Sequence, residues 1–295
     1  MELTALRQFI AVAAEGHMTR AARRLGVTQP ALSAMLRKLE DEAGAELLHR
    51  TGRGVEPTEA GRVFLRHAEE AVRGADSGVR AVRELVGLQT GSIRVGGGAT
   101  AITYMLPAIV SAFRRTHPGL RFYVREAGSA SIAESVQRGE LDLGIVTLPL
   151  APAFGAGKGG LVQVPLVDDE LRLIVPPRHA LSRQRSFRWR DLDSERFVAF
   201  EAGSAVRELL DGAAREAAVT LDVVMELRSI ESIKQMVAAG IGVGFVSRFA
   251  LKPTEGLVCR DGPIARGLAI VRSKDRLLSP AAAAFEKAVT EALGR

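Results

Sequence analysis

The stretch from Thr19 to Glu40, TRAARRLGVTQPALSAMLRKLE, constrains the fold more tightly than any other part of the chain. Five cations precede its first acid, Glu40, and they are spaced by small apolar residues. Gly26 closes the first half, because its freedom at positive φ suits a helix C-terminus. Thr28 opens the second, since its hydroxyl can accept from an orphan backbone N–H at a helix start. Pro30 falls in the first turn, where no intrahelical donor is lost. Leu32, Leu36 and Leu39 give that helix a buried stripe and leave Gln29, Ser33 and Arg37 on other faces. Upstream, Leu3, Leu6, Ile10 and Ala13 predict an amphipathic helix ending at Gly16. The spacing therefore predicts helix, turn, helix behind a bracing first helix.

Beyond this region LLHRTGRGVEPT reads as a tight hairpin tipped by Arg50 and Arg53. Residues 58 to 87 then return to helical spacing for a length of roughly 45 Å. Phe64, Ala68, Ala71, Ala75, Gly78, Val82 and Leu85 step by four and three, a seam that suits a helix–helix dimer. Gly74 and Gly78 each cost about 1 kcal/mol against Ala, so this helix is expected to need a partner. GLQTG reads as a hinge. After it, strand-like runs (SIRVGG, RFYVRE, DLGIVTL, ELRLIVP, RFVAF, LDVVMEL, GVGFVS, GLAIVRS) alternate with helical runs near 103–116, 132–138, 205–217 and 230–239. That alternation predicts an α/β domain with a mainly parallel sheet. APAFGAGKGG reads as a surface loop, and RQRSFRWR as a solvated connection with one aromatic turned inward.

A chain of 295 residues that is 47% hydrophobic can bury more than one core. Its net charge of +6 invites a nucleic-acid partner, but the excess is not localised. Residues 1–90 hold 13 Lys/Arg against 12 Asp/Glu, and the remainder 27 against 22, so only local pattern can place a DNA-binding surface. No apolar run approaches the roughly 18 residues of a membrane span. Glu2, Arg7 and Glu15 interrupt the first helical pattern, unlike a signal peptide. A lone Cys259 excludes an internal disulfide framework, and a cytoplasmic setting is expected.

The helix-turn-helix reading gives these residues work. The second helix offers its N-terminal end to the major groove, where Gln29 can address an adenine edge and Ser33 a base or phosphate. Arg20, Arg23, Arg24, Arg37 and Lys38 can neutralise phosphates. Rival chemistries find little support. Gly96 begins a G-x-G-x-x-A pattern, but Thr116 and His117 stand where a ribose-binding acid belongs. No G-x-S-x-G elbow exists, and the histidines lack metal-ligand spacing, so neither a catalytic residue, a metal nor a cofactor is expected.

The chain resembles LysR-type transcriptional regulators. The resemblance rests on Phe9, TRAA at Thr19, VTQPALS at Val27, Leu39-Glu40, Gly44, Arg50 and TEAG at Thr58, and later on GELDLGIV at Gly139 and AAGIGVGFV at Ala238. It implies an all-α winged helix-turn-helix domain over residues 1–60 and a dimerisation helix and hinge over 61–90. An α/β effector domain similar to periplasmic binding proteins would follow over 91–295. Its two subdomains would be 91–163 with 265–295, and 164–263, with a cleft between them for a small ligand. DNA contacts are expected at Arg20, Thr28, Gln29, Pro30, Ser33, Arg37, Arg50 and Arg53. Effector contacts are expected at Ala99, Thr100, Ser129, Thr147, Phe200 and Ser204, several of them at helix N-termini that favour a carboxylate. Phe200, Ile102 and Val246 would make part of the pocket apolar. The resemblance further implies double-stranded DNA with a dyad-symmetric site, a homotetramer built from dimers, and activation through RNA polymerase. Ala34, His17-Met18, Leu48-His49 and Ser247 depart from the usual family pattern.

Overall fold

A computed structural model describes residues 1–51, 54–86, 91–154 and 160–294, and the chain divides into two compact units, Met1–Arg83 and Glu84–Arg295. In the first, helices α1 (Leu3–Glu15), α2 (Met18–Leu25) and α3 (Gln29–Ala43) precede strands β1 (Leu48–Thr51) and β2 (Gly54–Pro57) and helix α4 (Glu59–Val86). Gly16 and Gly26 end α1 and α2 at φ 61° and 68°, a conformation costly for any residue with a Cβ. The N-cap of α2 is His17, whose Nδ1 accepts from Thr19 N at 3.3 Å. Phe9, Val12, Ala21, Leu32 and Leu39 form the centre of the core, each at most 2% exposed.

The strands pair antiparallel from Leu48↔Pro57 to Thr51↔Gly54, and Val55 N donates to Gly16 O, tying this wing to the α1–α2 turn. Glu40 Oε1 accepts from Leu47 N and Leu48 N, so its acid anchors the entry to β1. Arg53 and the side chain of Arg50 lie outside the described residues, and so does the side chain of Leu85. The expected dimer seam on α4 divides in two. Phe64 packs edge-on against Phe9 and Ala68 is buried, so that half completes its own domain. Val79 and Val82 are 53% and 60% exposed.

The second unit contains strands β3 (Ser92–Gly97), β4 (Arg121–Glu126), β5 (Leu143–Thr147), β6 (Leu161–Ile174), β7 (Ser186–Phe187), β8 (Arg196–Phe200), β9 (Asp222–Leu227), β10 (Gly244–Ser247), β11 (Val258–Cys259) and β12 (Ala265–Ser273). Its helices are α5 (Leu106–Thr116), α6 (Ser129–Gln137), α7 (Ala205–Glu216), α8 (Ile230–Ala238) and α9 (Pro280–Leu293). The main sheet has the order β10-β6-β12-β5-β3-β4. It is mixed rather than mainly parallel: β10–β6, β6–β12 and β12–β5 are antiparallel, and only β5–β3 and β3–β4 are parallel. The physical reason is β6, a single strand of 14 residues that begins well before the ELRLIVP run and pairs along the whole of β12. Pro165 lies at a register irregularity in that ladder, where a strand tolerates a missing donor.

Two principal cores result. One gathers β3, β5, α5 and α9 around Ile93, Leu143, Ile270 and Phe285; the other gathers β8, α7, α8 and β10 around Leu192, Ile233, Val243 and Phe245. Strands β6 and β12 run between them, with Leu166 in the first core and Leu171 in the second. Helix α9 was not anticipated, although Ser279 caps it and Pro280 opens it. Both Phe187 and Trp189 of RQRSFRWR are buried, rather than one, because β7 pairs with β11 and presses both rings on Phe245. Phe154 anchors the start of the Gly/Ala-rich segment, so it is more than surface loop. Residues 155–159 of that segment lie outside the described ones.

Candidate functional site

On α3 the first turn is held open to solvent. Thr28 Oγ1 accepts from Ala31 N at 3.4 Å, and Gln29, Pro30 and Arg37 are exposed with Ser33 half-buried. No hydrogen bond or ion pair among the described residues engages the side chains of Gln29, Arg23 or Arg37, while the N-terminal amine and, more weakly, Lys38 hold the Glu42 carboxyl below its usual range. Arg20 and Arg24 are committed differently, both reaching Glu15. A helix that presents an amide at its N-terminal end and exposed cations further along has the chemistry to read base edges and hold phosphates.

The second unit encloses a cavity of about 520 Å³ between its two cores. Ala99, Thr100, Ser129, Thr147, Phe200 and Ser204 all line it. Ile102 and Val246 do not, because Ile102 packs against the first core and Val246 is fully buried in the second. The apolar wall comes instead from Phe200 with Ile145, Val206, Leu227, Ile230 and Leu268.

The hydroxyls differ in their duties. Ser204 caps α7, accepting from Arg207 N and donating to Glu201 O. Ser129 Oγ accepts from Thr147 N at 2.9 Å and so pins the end of β5; α6 itself begins with no side-chain cap. Thr100 precedes a π-helical turn, Ala101–Met105, also without a side-chain cap. π-helical turns concentrate at functional sites. Beneath Thr100 and Thr147 lies Arg266, whose Nη2 donates to Thr100 Oγ1 at 2.8 Å and whose Nη1 donates to Thr147 Oγ1 at 3.3 Å. The same guanidinium is paired with Asp169 at 2.9 Å.

Tyr104 and Glu231 join the two cores at another point, where the phenol donates to the carboxylate. Burial, reinforced by Glu231, pushes the Tyr104 phenol well above its ordinary range. The Tyr104 hydroxyl and Lys234 hold the Glu231 carboxyl below its own. Gly96 explains the dinucleotide-like pattern without a cofactor. A Cβ there would lie 2.5 Å from Leu141 Cδ1 and 2.7 Å from Ile132 Cδ1, so the glycine is required by packing of β3.

Residues 3–62 match the family described as bacterial regulatory helix-turn-helix protein, lysR family, and residues 87–294 match the LysR substrate binding domain. The chain belongs to the LysR family of transcriptional regulators. A probable RuBisCO transcriptional regulator from Synechocystis sp. is 32% identical over 97% of this chain and 85% of its own length. A full-length OxyR variant from Pseudomonas aeruginosa superimposes with a TM-score of 0.69 at 27% identity, covering 99% of this chain and 94% of that one. The regulatory domain of CcmR from Synechocystis PCC6803, solved in complex with 2-PG, has a TM-score of 0.61 at 25% identity over 68% of this chain and 97% of its own.

As a LysR-family member the chain is a transcriptional regulator with a DNA-binding helix-turn-helix domain and an effector-binding domain, and it is not an enzyme. No helix among the described residues is long and apolar enough to cross a membrane. No cluster of three or more His, Cys, Asp or Glu among them is placed to hold a metal. Cys259 is buried, and burial pushes its thiol up, away from the reactive thiolate. The residue that sequence reasoning missed is Arg266. Nothing in ARGLAIVRS marks it out, since its partners at 100, 147 and 169 are remote in the chain.

Proposed function

We propose that this regulator reads a dyad-symmetric operator with α3 and adjusts its DNA geometry to a small anionic effector held in the cleft of its second unit. In the DNA-binding domain, Gln29 and Ser33 meet base edges, while Arg20, Thr28, Pro30, Arg37, Arg50 and Arg53 meet or position the phosphate backbone. Dimerisation uses the outer half of α4, where Val79 and Val82 are exposed and uncovered within the chain, and two dimers pair into a tetramer. The effector domain comprises residues 91–163 with 265–295, and 164–263, as two subdomains.

The observation that carries the effector reading is the cleft floor. The Arg266 guanidinium donates to two cavity-lining hydroxyls and its side chain lines the same cavity, and the open N-termini of α6 and the π-helical turn face that space. Such donors in a partly enclosed, largely apolar cavity suit a carboxylate on a small organic body. That the CcmR regulatory domain holds 2-PG supports a small-molecule ligand in this fold. The effector acts by binding one arrangement of the chain better than another.

The test is a gel shift against the DNA upstream of the chain's own gene, repeated with small organic acids found by thermal-shift screening. Replacing Thr100 or Ser204 by Val abolishes the response to the acid while sparing DNA affinity. A normal dose-response in both variants places the ligand elsewhere. Val82→Asp yields slower-sedimenting monomers, and an unchanged dimer removes α4 from the interface.

A further inference from the structure

Arg266 and Asp169 are cross-strand neighbours in the β6–β12 ladder, at the point where both strands pass between the two cores. Nε and Nη2 of Arg266 both donate to Asp169 Oδ2 at 2.9 Å. Their side chains are 9% and 0% exposed. Ser247 Oγ donates to the other carboxylate oxygen, Oδ1, at 2.7 Å. A proline or alanine at 247 has no hydroxyl to offer, so Ser247 is what completes the hold on Asp169.

Of the three remaining guanidinium hydrogens one turns to Thr100 and one to Thr147, and the third, on Nη1, has no acceptor among the described residues. A hydroxyl oxygen that accepts from a cation keeps its own proton to donate. Neither threonine proton has an acceptor among the described residues, and both side chains line the cavity. A ligand therefore meets two polarised O–H donors beside the Arg266 side chain, which lines the same cavity. It does not meet a free cation, because Asp169 already matches Arg266 charge for charge. One negative charge on those donors is well served. A second would find no counter-charge at the floor, and it would feel the Asp169 carboxylate through a medium that water does not screen.

We infer that Asp169 makes the floor of the cleft a seat for a singly charged carboxylate and turns away a doubly charged phosphoryl or phosphonyl group. Arg266 positions the Thr100 and Thr147 hydroxyls as the donors. The inference rests on the reading of the cleft as an anion site. It concerns the group seated on the floor, and leaves the far end of a longer ligand to the residues at the mouth.

Benzoate and phenylphosphonate test it, because they share a ring and, at about pH 8, carry one and two charges. Calorimetric titration of the full-length wild type is expected to favour benzoate by about tenfold or more. Asp169→Asn removes the repelling charge and leaves that of Arg266, so the preference narrows by about tenfold, chiefly through tighter phenylphosphonate binding. A variant that only loosened the fold would weaken both probes and leave their ratio in place. Should Asp169→Asn fail to fold, the wild type titrated at about pH 5.5, where phenylphosphonate carries one charge and benzoate still carries one, is expected to narrow the preference by about tenfold, and a ratio that stays at its pH 8 value overturns the charge selection. Equal binding of both probes by the wild type, or a ratio that Asp169→Asn does not move, overturns the charge selection while leaving an anion site. Failure of the wild type to bind either probe overturns the anion reading and this inference with it.

Discussion

The two polar surfaces of this regulator are built on opposite plans. On α3, Gln29, Arg37 and Lys38 are exposed, and neither Gln29 nor Arg37 is engaged by a hydrogen bond or ion pair among the described residues. In the cleft, Arg266 is almost wholly buried and spends four of its five N–H groups on Asp169, Thr100 and Thr147. A surface that must follow a phosphate backbone gains from long, uncommitted cations, which water solvates until counterions are displaced. A cavity that must choose among small molecules gains from fixed donors whose charge is already balanced, since an unpaired ion would be costly there. The contrast teaches that the same residue type, arginine, serves affinity in one unit and orientation in the other.

Breaking the buried pair should give the largest effect. Arg266→Ala leaves Asp169 without its cation, which is expected to cost about 3–5 kcal/mol. In scanning calorimetry that lowers the Tm of the second unit by about 6–20 °C. Arg37→Ala, its counterpart on the exposed surface, should change stability by no more than about 0.5 kcal/mol. Comparable losses at both positions would erase the distinction drawn above.

Base discrimination comes next. Gln29→Ala should lose about 1–3 kcal/mol of preference at one operator position, measured across single base-pair variants of the site. Unchanged preference would remove Gln29 from base reading. Arg37→Ala should instead weaken binding to every sequence alike and reduce the salt slope by about 1. A position-specific loss there would exchange the two roles.

Acid should act on the second unit through Glu231. Its carboxyl is held below the usual carboxylate range by Tyr104 and Lys234, so it binds fewer protons folded than unfolded. The stabilisation is therefore present at neutral pH and lost as pH falls through the lowered folded-state value. Tyr104→Phe should reduce stability modestly at neutral pH, and the difference from wild type should shrink in acid. A difference that grows on acidification would contradict this sign. The smallest effect is expected from Arg183→Ala with Arg185→Ala, which should leave operator affinity intact; a large loss would extend the DNA surface into the second unit.

Legibility followed distance along the chain. Gly26, Thr28 and Pro30 act on their own backbone within a few residues, so both limits of α2 and the start of α3 could be read with an error of about one residue. Strands β3, β4, β8 and β9 were legible because β-branched and aromatic residues cluster between turn signals. The long β6 was half missed because Pro165 and the acids at 168–170 break the pattern, although in the sheet the bulge absorbs the proline and Arg266 pairs with Asp169. Phe64 and Ala68 were assigned to a seam with a partner chain. The heptad spacing is the same whether a helix packs on its own domain or on another, and Phe9 takes the first of these sites.

By itself the sequence determined the helix-turn-helix, its Gly26 and Thr28 caps and the exposure of the α3 residues, because each depends on local backbone preference and on apolar spacing along one helix. Only the tertiary structure decided which polar groups share a cavity and which cation is neutralised. Thr100, Thr147, Asp169, Ser247 and Arg266 meet through strand register and lobe packing, at separations where neither propensity nor periodicity carries information.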